Sequence, residues 1–244
     1  MLKNLNGIKV NYYFCDSGSN ETMVLLHGWG QNIEMMMPIG DKFNKNYNIL
    51  IIDLPGFGKS SEPNYSWEVI DYVECVKKIV DDLELKNIIL IGHSFGGRIS
   101  LLYSSKYNVK KLICLASPYC KEITKLSFET KLYKKLKTIP GLKWISSIMR
   151  NRLGSTDYKN ASEIMKGVLV KSINLEMVDD IKKINCPALL IWGSSDTAVP
   201  VKRAYELNEL IKDSKVVVYD NATHYAYLER LNEVVKEIKD FIRK

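Results

Sequence analysis

Histidine is scarce in this 244-residue chain: His27, His93 and His224 are the three it has. The five cysteines, at positions 15, 75, 114, 120 and 186, are odd in number and scattered without metal-ligand spacing. That pattern excludes a zinc cluster and argues against a disulfide framework, so a reduced, cytoplasmic protein without a metal is expected. No apolar run approaches the roughly 20 residues that cross a bilayer, and Met1 to Gly7 lack the apolar stretch of a secretory signal. Internal repeats and low-complexity tracts are missing too. Gly58-Lys59-Ser60 ends like a phosphate-binding loop, but that motif requires glycine at position 53, which is Asp53, so nucleotide hydrolysis is excluded. No nucleic-acid recognition motif accompanies the basic balance.

What the chain does have is Gly92-His93-Ser94-Phe95-Gly96-Gly97, directly after the apolar run Ile88-Ile89-Leu90-Ile91. A buried strand, a Gly-x-Ser-x-Gly turn and a continuation that can be helical make the context of a nucleophile elbow. Such a turn holds serine in a strained backbone conformation with its hydroxyl lifted clear of the sheet, and a side chain at 92 or 96 would meet neighbouring backbone.

A serine nucleophile needs a base. His93 lies inside the elbow, where its ring is expected to point away from the nucleophile. His27 ends the strand-like Met23-Val24-Leu25-Leu26, where hydrogen bonding that shapes the next loop is its expected role. His224, just after the strand-like Lys215–Tyr219, remains as the general base. Its carboxylate partner is expected on a loop at the carboxyl end of a strand, where sites form in open parallel sheets. Asp196 meets this after Pro187–Gly193. Asp220 is the competitor, four residues before His224, where it can simply cap a turn. Charge developing on a carbonyl oxygen needs donors already in position, and the backbone N–H groups of Phe95 and Trp29 are the two implied.

Together, Leu25-Leu26-His27-Gly28-Trp29-Gly30, Asp53-Leu54-Pro55-Gly56-Phe57-Gly58, the elbow, Gly193-Ser194-Ser195-Asp196 and Thr223-His224 resemble the α/β-hydrolase fold serine hydrolases across essentially the whole chain. The order Ser94, Asp196, His224 is that family's order. The first two segments are most similar to pimeloyl-carrier-protein methyl ester esterases and related small carboxylesterases. The chain departs from them in having Phe95 where they carry leucine. The resemblance implies a mostly parallel central sheet flanked by helices, with a helical cap inserted after the sixth strand, and chemistry without a cofactor. Serine as nucleophile, rather than aspartate, argues against epoxide hydrolase or haloalkane dehalogenase chemistry.

Apolar runs suggest strands near 7–14, 23–27, 48–53, 87–92, 110–116, 187–192 and 215–219, with one further early strand left open. Helices are expected near 66–84, 95–107, 200–212 and 227–243. This alternation predicts one α/β domain over 1–244, with a core of 1–117 and 184–244 and a cap of about 118–183. Residues 119–171 hold ten lysines and two arginines against four carboxylates, a net +8 in a chain whose total is +7. Such a field can steer an anionic substrate or an acidic acyl-carrier protein, although a solvated lysine-rich face accounts for it equally well. Trp29, Phe95, Tyr119 and Trp144 are the expected pocket-lining residues. The reaction expected is carboxylic ester hydrolysis of a small to medium acyl group. Thioester or carrier-protein ester hydrolysis, carbon–carbon cleavage on the same triad, and a ligand-sensing receptor are the other readings.

Overall fold

The computed structural model describes residues 1–5, 7–121 and 161–243. Its eight strands are β1 (Leu2–Leu5), β2 (Ile8–Cys15), β3 (Thr22–Leu26), β4 (Asn48–Ile52), β5 (Ile88–His93), β6 (Lys111–Leu115), β7 (Ala188–Gly193) and β8 (Ser214–Tyr219). They form one sheet in the order β1-β2-β4-β3-β5-β6-β7-β8. The pairs β1–β2 and β2–β4 are antiparallel and all the others parallel. Strands 3 to 7 are buried on both faces, which is why they read as unbroken apolar runs rather than alternating ones.

The pleat sends alternate residues to two separate cores. Val24, Leu26, Leu50, Leu90, Leu112 and Leu190 pack beneath α2 (Val69–Asp82), α3 (Phe95–Lys106) and α6 (Lys202–Leu210). Met23, Leu25, Ile51, Ile91, Ile113 and Leu189 face α1 (Ile33–Gly40) and α8 (Leu231–Arg243). On α8, Val234, Val235 and Ile238 are buried, spaced as one stripe of a helix with charged residues elsewhere.

After β6, the sixth strand, the chain leaves the sheet and returns at β7. The described part of that insertion carries α4 (Glu163–Ile173) and α5 (Val178–Ile181); residues 122–160 of the expected cap lie outside the described residues. Exit and return are tied together. Met177 N–H donates to the Tyr119 carbonyl at 3.2 Å, and Lys121 N–H to Glu176 Oε1 at 3.1 Å. Buried Arg98, on α3, reaches both sides: Nη1 donates to the Leu175 carbonyl at 3.0 Å and Nη2 to the Cys120 carbonyl at 3.3 Å. A short helix, α7 (Ala226–Glu229), precedes α8.

Candidate active site

Ser94 sits between β5 and α3 at φ 51°, ψ −110°, a backbone conformation that non-glycine residues rarely adopt. The surroundings over-determine it. Ser94 N–H donates to the Leu115 carbonyl at 2.9 Å, Gly96 N–H to the His27 carbonyl at 3.0 Å, and Arg98 N–H to the Ser94 carbonyl at 3.0 Å. A Cβ at Gly92 would fall on the Gly96 carbonyl, and one at Gly96 on the carbonyls of Leu26 and His27. Both glycines therefore let α3 lie close against the sheet with the serine proud of it.

Asp196 follows β7 and is buried. Its Oδ1 accepts the N–H groups of Ala198 and Val199, both at 2.8 Å, and its Oδ2 stands 2.8 Å from Nδ1 of His224. An ionised carboxylate there fixes the imidazole with Nδ1 protonated and Nε2 free to accept. His224 lies on the loop after β8, which is laced to the β7 loop: Ser195 N–H donates to the Ala222 carbonyl and Asn221 N–H to Ser194 Oγ, each at 2.9 Å. Farther along, Glu229 takes Thr223 N–H at 2.8 Å and also the Thr223 hydroxyl. Those hydrogen bonds hold the Glu229 carboxyl below the usual carboxylate range. Asp220 contributes its backbone carbonyl to Arg230 and is not the carboxylate at the imidazole.

Ser94 and His224 line one cavity of about 440 Å³, together with Trp29, Gln31, His93 and Tyr225 among others. Phe95 N–H opens α3, and Trp29 N–H lies in the loop after β3; neither finds an acceptor among the described residues. The Trp29 ring stands edge-on to Phe57 at 4.9 Å and to Phe95 at 5.4 Å. A second cavity of about 340 Å³ adjoins Trp29 and is lined by Phe57, Met165, Ala161, Glu62 and Ser162. Tyr119 is not among the described residues of either cavity. Its hydroxyl donates to Glu206 at 2.9 Å, and the Arg203 guanidinium lies over its ring at 5.7 Å. Trp144 lies outside the described residues.

The other two histidines behave differently from one another. His27 Nδ1–H donates to the Gly28 carbonyl at 2.7 Å and Nε2 accepts Leu54 N–H at 3.0 Å, so the ring shapes the loop as a neutral group. Burial pushes its pKa down to about 4. His93 does not point away from the site. Its ring centroid is 4.8 Å from that of His224, and its Nδ1 is 3.2 Å from Gln31 Oε1. Gln31 went unnoticed in the sequence because nothing about a lone glutamine after His-Gly-Trp-Gly marks it as a cavity residue. Asp53 is occupied structurally: its carboxylate takes the N–H groups of Ile33 and Lys59 and the Asn11 amide.

An open, mostly parallel sheet, a strained serine at a strand–helix turn and a carboxylate-held histidine on a later loop define the architecture of an α/β hydrolase. Residues 21–133 and 130–231 match the family model described as alpha/beta hydrolase fold, and the chain belongs to that family as a hydrolase. It is 23% identical, over 95% of its own length and 97% of the relative's, to the pimeloyl-[acyl-carrier protein] methyl ester esterase of Aliivibrio fischeri strain MJ11. It is 25% identical to the monoacylglycerol lipase ABHD6 of Mus musculus, over 95% of this chain and 80% of the relative. Among solved structures, the esterase EaEST from Exiguobacterium antarcticum superposes with a TM-score of 0.78 at 20% identity, covering 100% of this chain and 98% of that one.

Proposed function

We propose that the protein is a serine carboxylesterase acting on small to medium acyl esters, with Ser94, His224 and Asp196 as its triad. The observation that carries this is the strained Ser94 facing the same cavity as an imidazole whose Nδ1 is held at 2.8 Å by a buried aspartate. His224 Nε2 takes the Ser94 proton as Oγ attacks the ester carbonyl, and the N–H groups of Trp29 and Phe95 receive the oxyanion. The first helical N–H of α3 brings the positive end of the helix dipole to that oxygen. His224 then protonates the leaving alcohol, an acyl-enzyme remains on Ser94, and water repeats the sequence. The apolar walls of Trp29, Phe57 and Met165 favour an uncharged acyl chain in the adjoining cavity.

The test is a series of p-nitrophenyl esters of rising acyl length, run on the wild type and on Ser94→Ala. Wild type gives a burst and steady turnover; Ser94→Ala loses about 10⁴-fold or more in kcat. Equal turnover in both proteins ends the proposal.

A second reading, ester hydrolysis on an acyl-carrier protein, is supported by the net positive balance of residues 119–171 and by similarity to the Aliivibrio fischeri esterase. Under it, turnover of a carrier-protein methyl ester falls steeply as salt rises from about 50 to about 500 mM, while that of a neutral p-nitrophenyl ester stays level. Parallel salt curves would leave the charge without a role in substrate choice.

A further inference from the structure

The carbonyl of His224 has one donor among the described residues, and that donor is the ring of His93, with Nε2 at 3.1 Å. A carbonyl oxygen only accepts, so this bond requires the proton on Nε2. The ring is fully buried and packs against Tyr225 and Tyr227, at centroid distances of 5.4 and 4.7 Å. Burial drives its pKa down to about 3, which keeps the ring neutral and leaves it a single N–H to give. Gln31 Oε1, facing the other ring nitrogen, already takes Gly28 N–H at 2.9 Å and does not depend on that proton. The His224 carbonyl does.

We propose that His93 is a positioning residue: its Nε2–H pins the backbone of His224 to the residue next to Ser94, while its other edge abuts the Gln31–Gly28 clamp of the loop carrying Trp29. Asp196 orients the His224 ring, and His93 holds the main chain from which that ring hangs. Three segments distant in sequence are thereby set at one mutual spacing: the elbow, the loop after β3 and the loop after β8. Without the bond, the imidazole of His224 drifts from its line to Ser94, and small misplacements of reacting groups are expensive in rate. A residue acting in this manner lowers kcat and leaves KM nearly alone, because its ring is fully buried and offers the ester no exposed surface.

This rests on the triad reading, and the experiment separates the two. His93→Met and His93→Gln replace the ring with side chains of similar volume, of which glutamine alone carries an N–H. The measurements are kcat and KM for a p-nitrophenyl ester, with active sites counted by a fluorophosphonate. The expected result for His93→Met is a loss in kcat of about 10- to 100-fold per titrated site with KM within about threefold, and a partial recovery in His93→Gln. Unchanged kcat per site in His93→Met, or equal losses in both variants, overturns the proposal. The triad itself fails separately, if Ser94→Ala stays active or the fluorophosphonate leaves residue 94 unlabelled. Should His93→Met not fold, nitrogen-15 NMR of the wild type decides: a neutral His93 ring protonated at Nε2 supports the assignment, and protonation at Nδ1 refutes it.

Discussion

Asp196 divides its carboxylate between two tasks, one oxygen closing its own loop onto Ala198 and Val199 and the other meeting His224. Asp196→Asn preserves the size and much of the loop bonding but presents an amide to Nδ1, which favours the wrong imidazole tautomer. The expected outcome is a fall in kcat of about 10⁴-fold with near-normal folding, measured by steady-state kinetics beside circular dichroism. Ser94, Asp196 and His224 each follow a strand-like run, which is why the sequence singles them out as candidates, and the fold brings Asp196 to His224 and lines one cavity with Ser94 and His224. Asp220 was a rival only along the chain; in space Asp196 is the carboxylate at the imidazole, while Asp220 gives its backbone carbonyl to Arg230. Gln31, and the reach of His93 toward His224, could not be read. Both depend on how two loops meet, and no local pattern encodes that. The hydrogen bond from Tyr119 to Glu206 is illegible for the same reason: the partner lies 87 positions away.

Among the elements, strands β3 to β7 were legible nearly to the residue because burial on two faces makes them largely unbroken apolar runs. Two elements escaped. The edge strand β1 is four residues long and, among the described residues, pairs only with β2, so it shows no apolar run. The α1 helix contains Pro38 in a run of methionines, which reads as a helix breaker, yet Asn32 caps its start by accepting Glu34 N–H at 2.9 Å. Helix α8, by contrast, was plain from its apolar stripe, and the second core depends on it. Ile238, buried there against the sheet, is expected to lose about 2–4 kcal/mol of unfolding free energy on replacement by alanine, readable as a lower urea midpoint at unchanged slope.

Acid should weaken the folded chain in a specific window. His27 and His93 are buried as neutral rings with pKa values pushed down to about 4 and about 3, and both return to an ordinary value near 6.5 on unfolding. Unfolding therefore takes up protons below that pH. The stability from keeping the rings neutral is fully present above about pH 6.5 and is lost as pH falls toward the folded values, by up to about 1.4 kcal/mol per pH unit for each ring. Urea midpoints from pH 7.5 down to pH 5 measure the slope, and His27→Gln should remove about one proton's share of it; an undiminished slope would place the uptake elsewhere. The stapling of Tyr119 to Met177, with Arg98 gripping both sides, has a consequence of another kind. A polypeptide that departs and re-enters through a fastened doorway can exchange the material beyond it, in evolution or by grafting, while sheet and elbow stay undisturbed. Substrate preference could thus be rewritten on this scaffold without rebuilding the chemistry beneath.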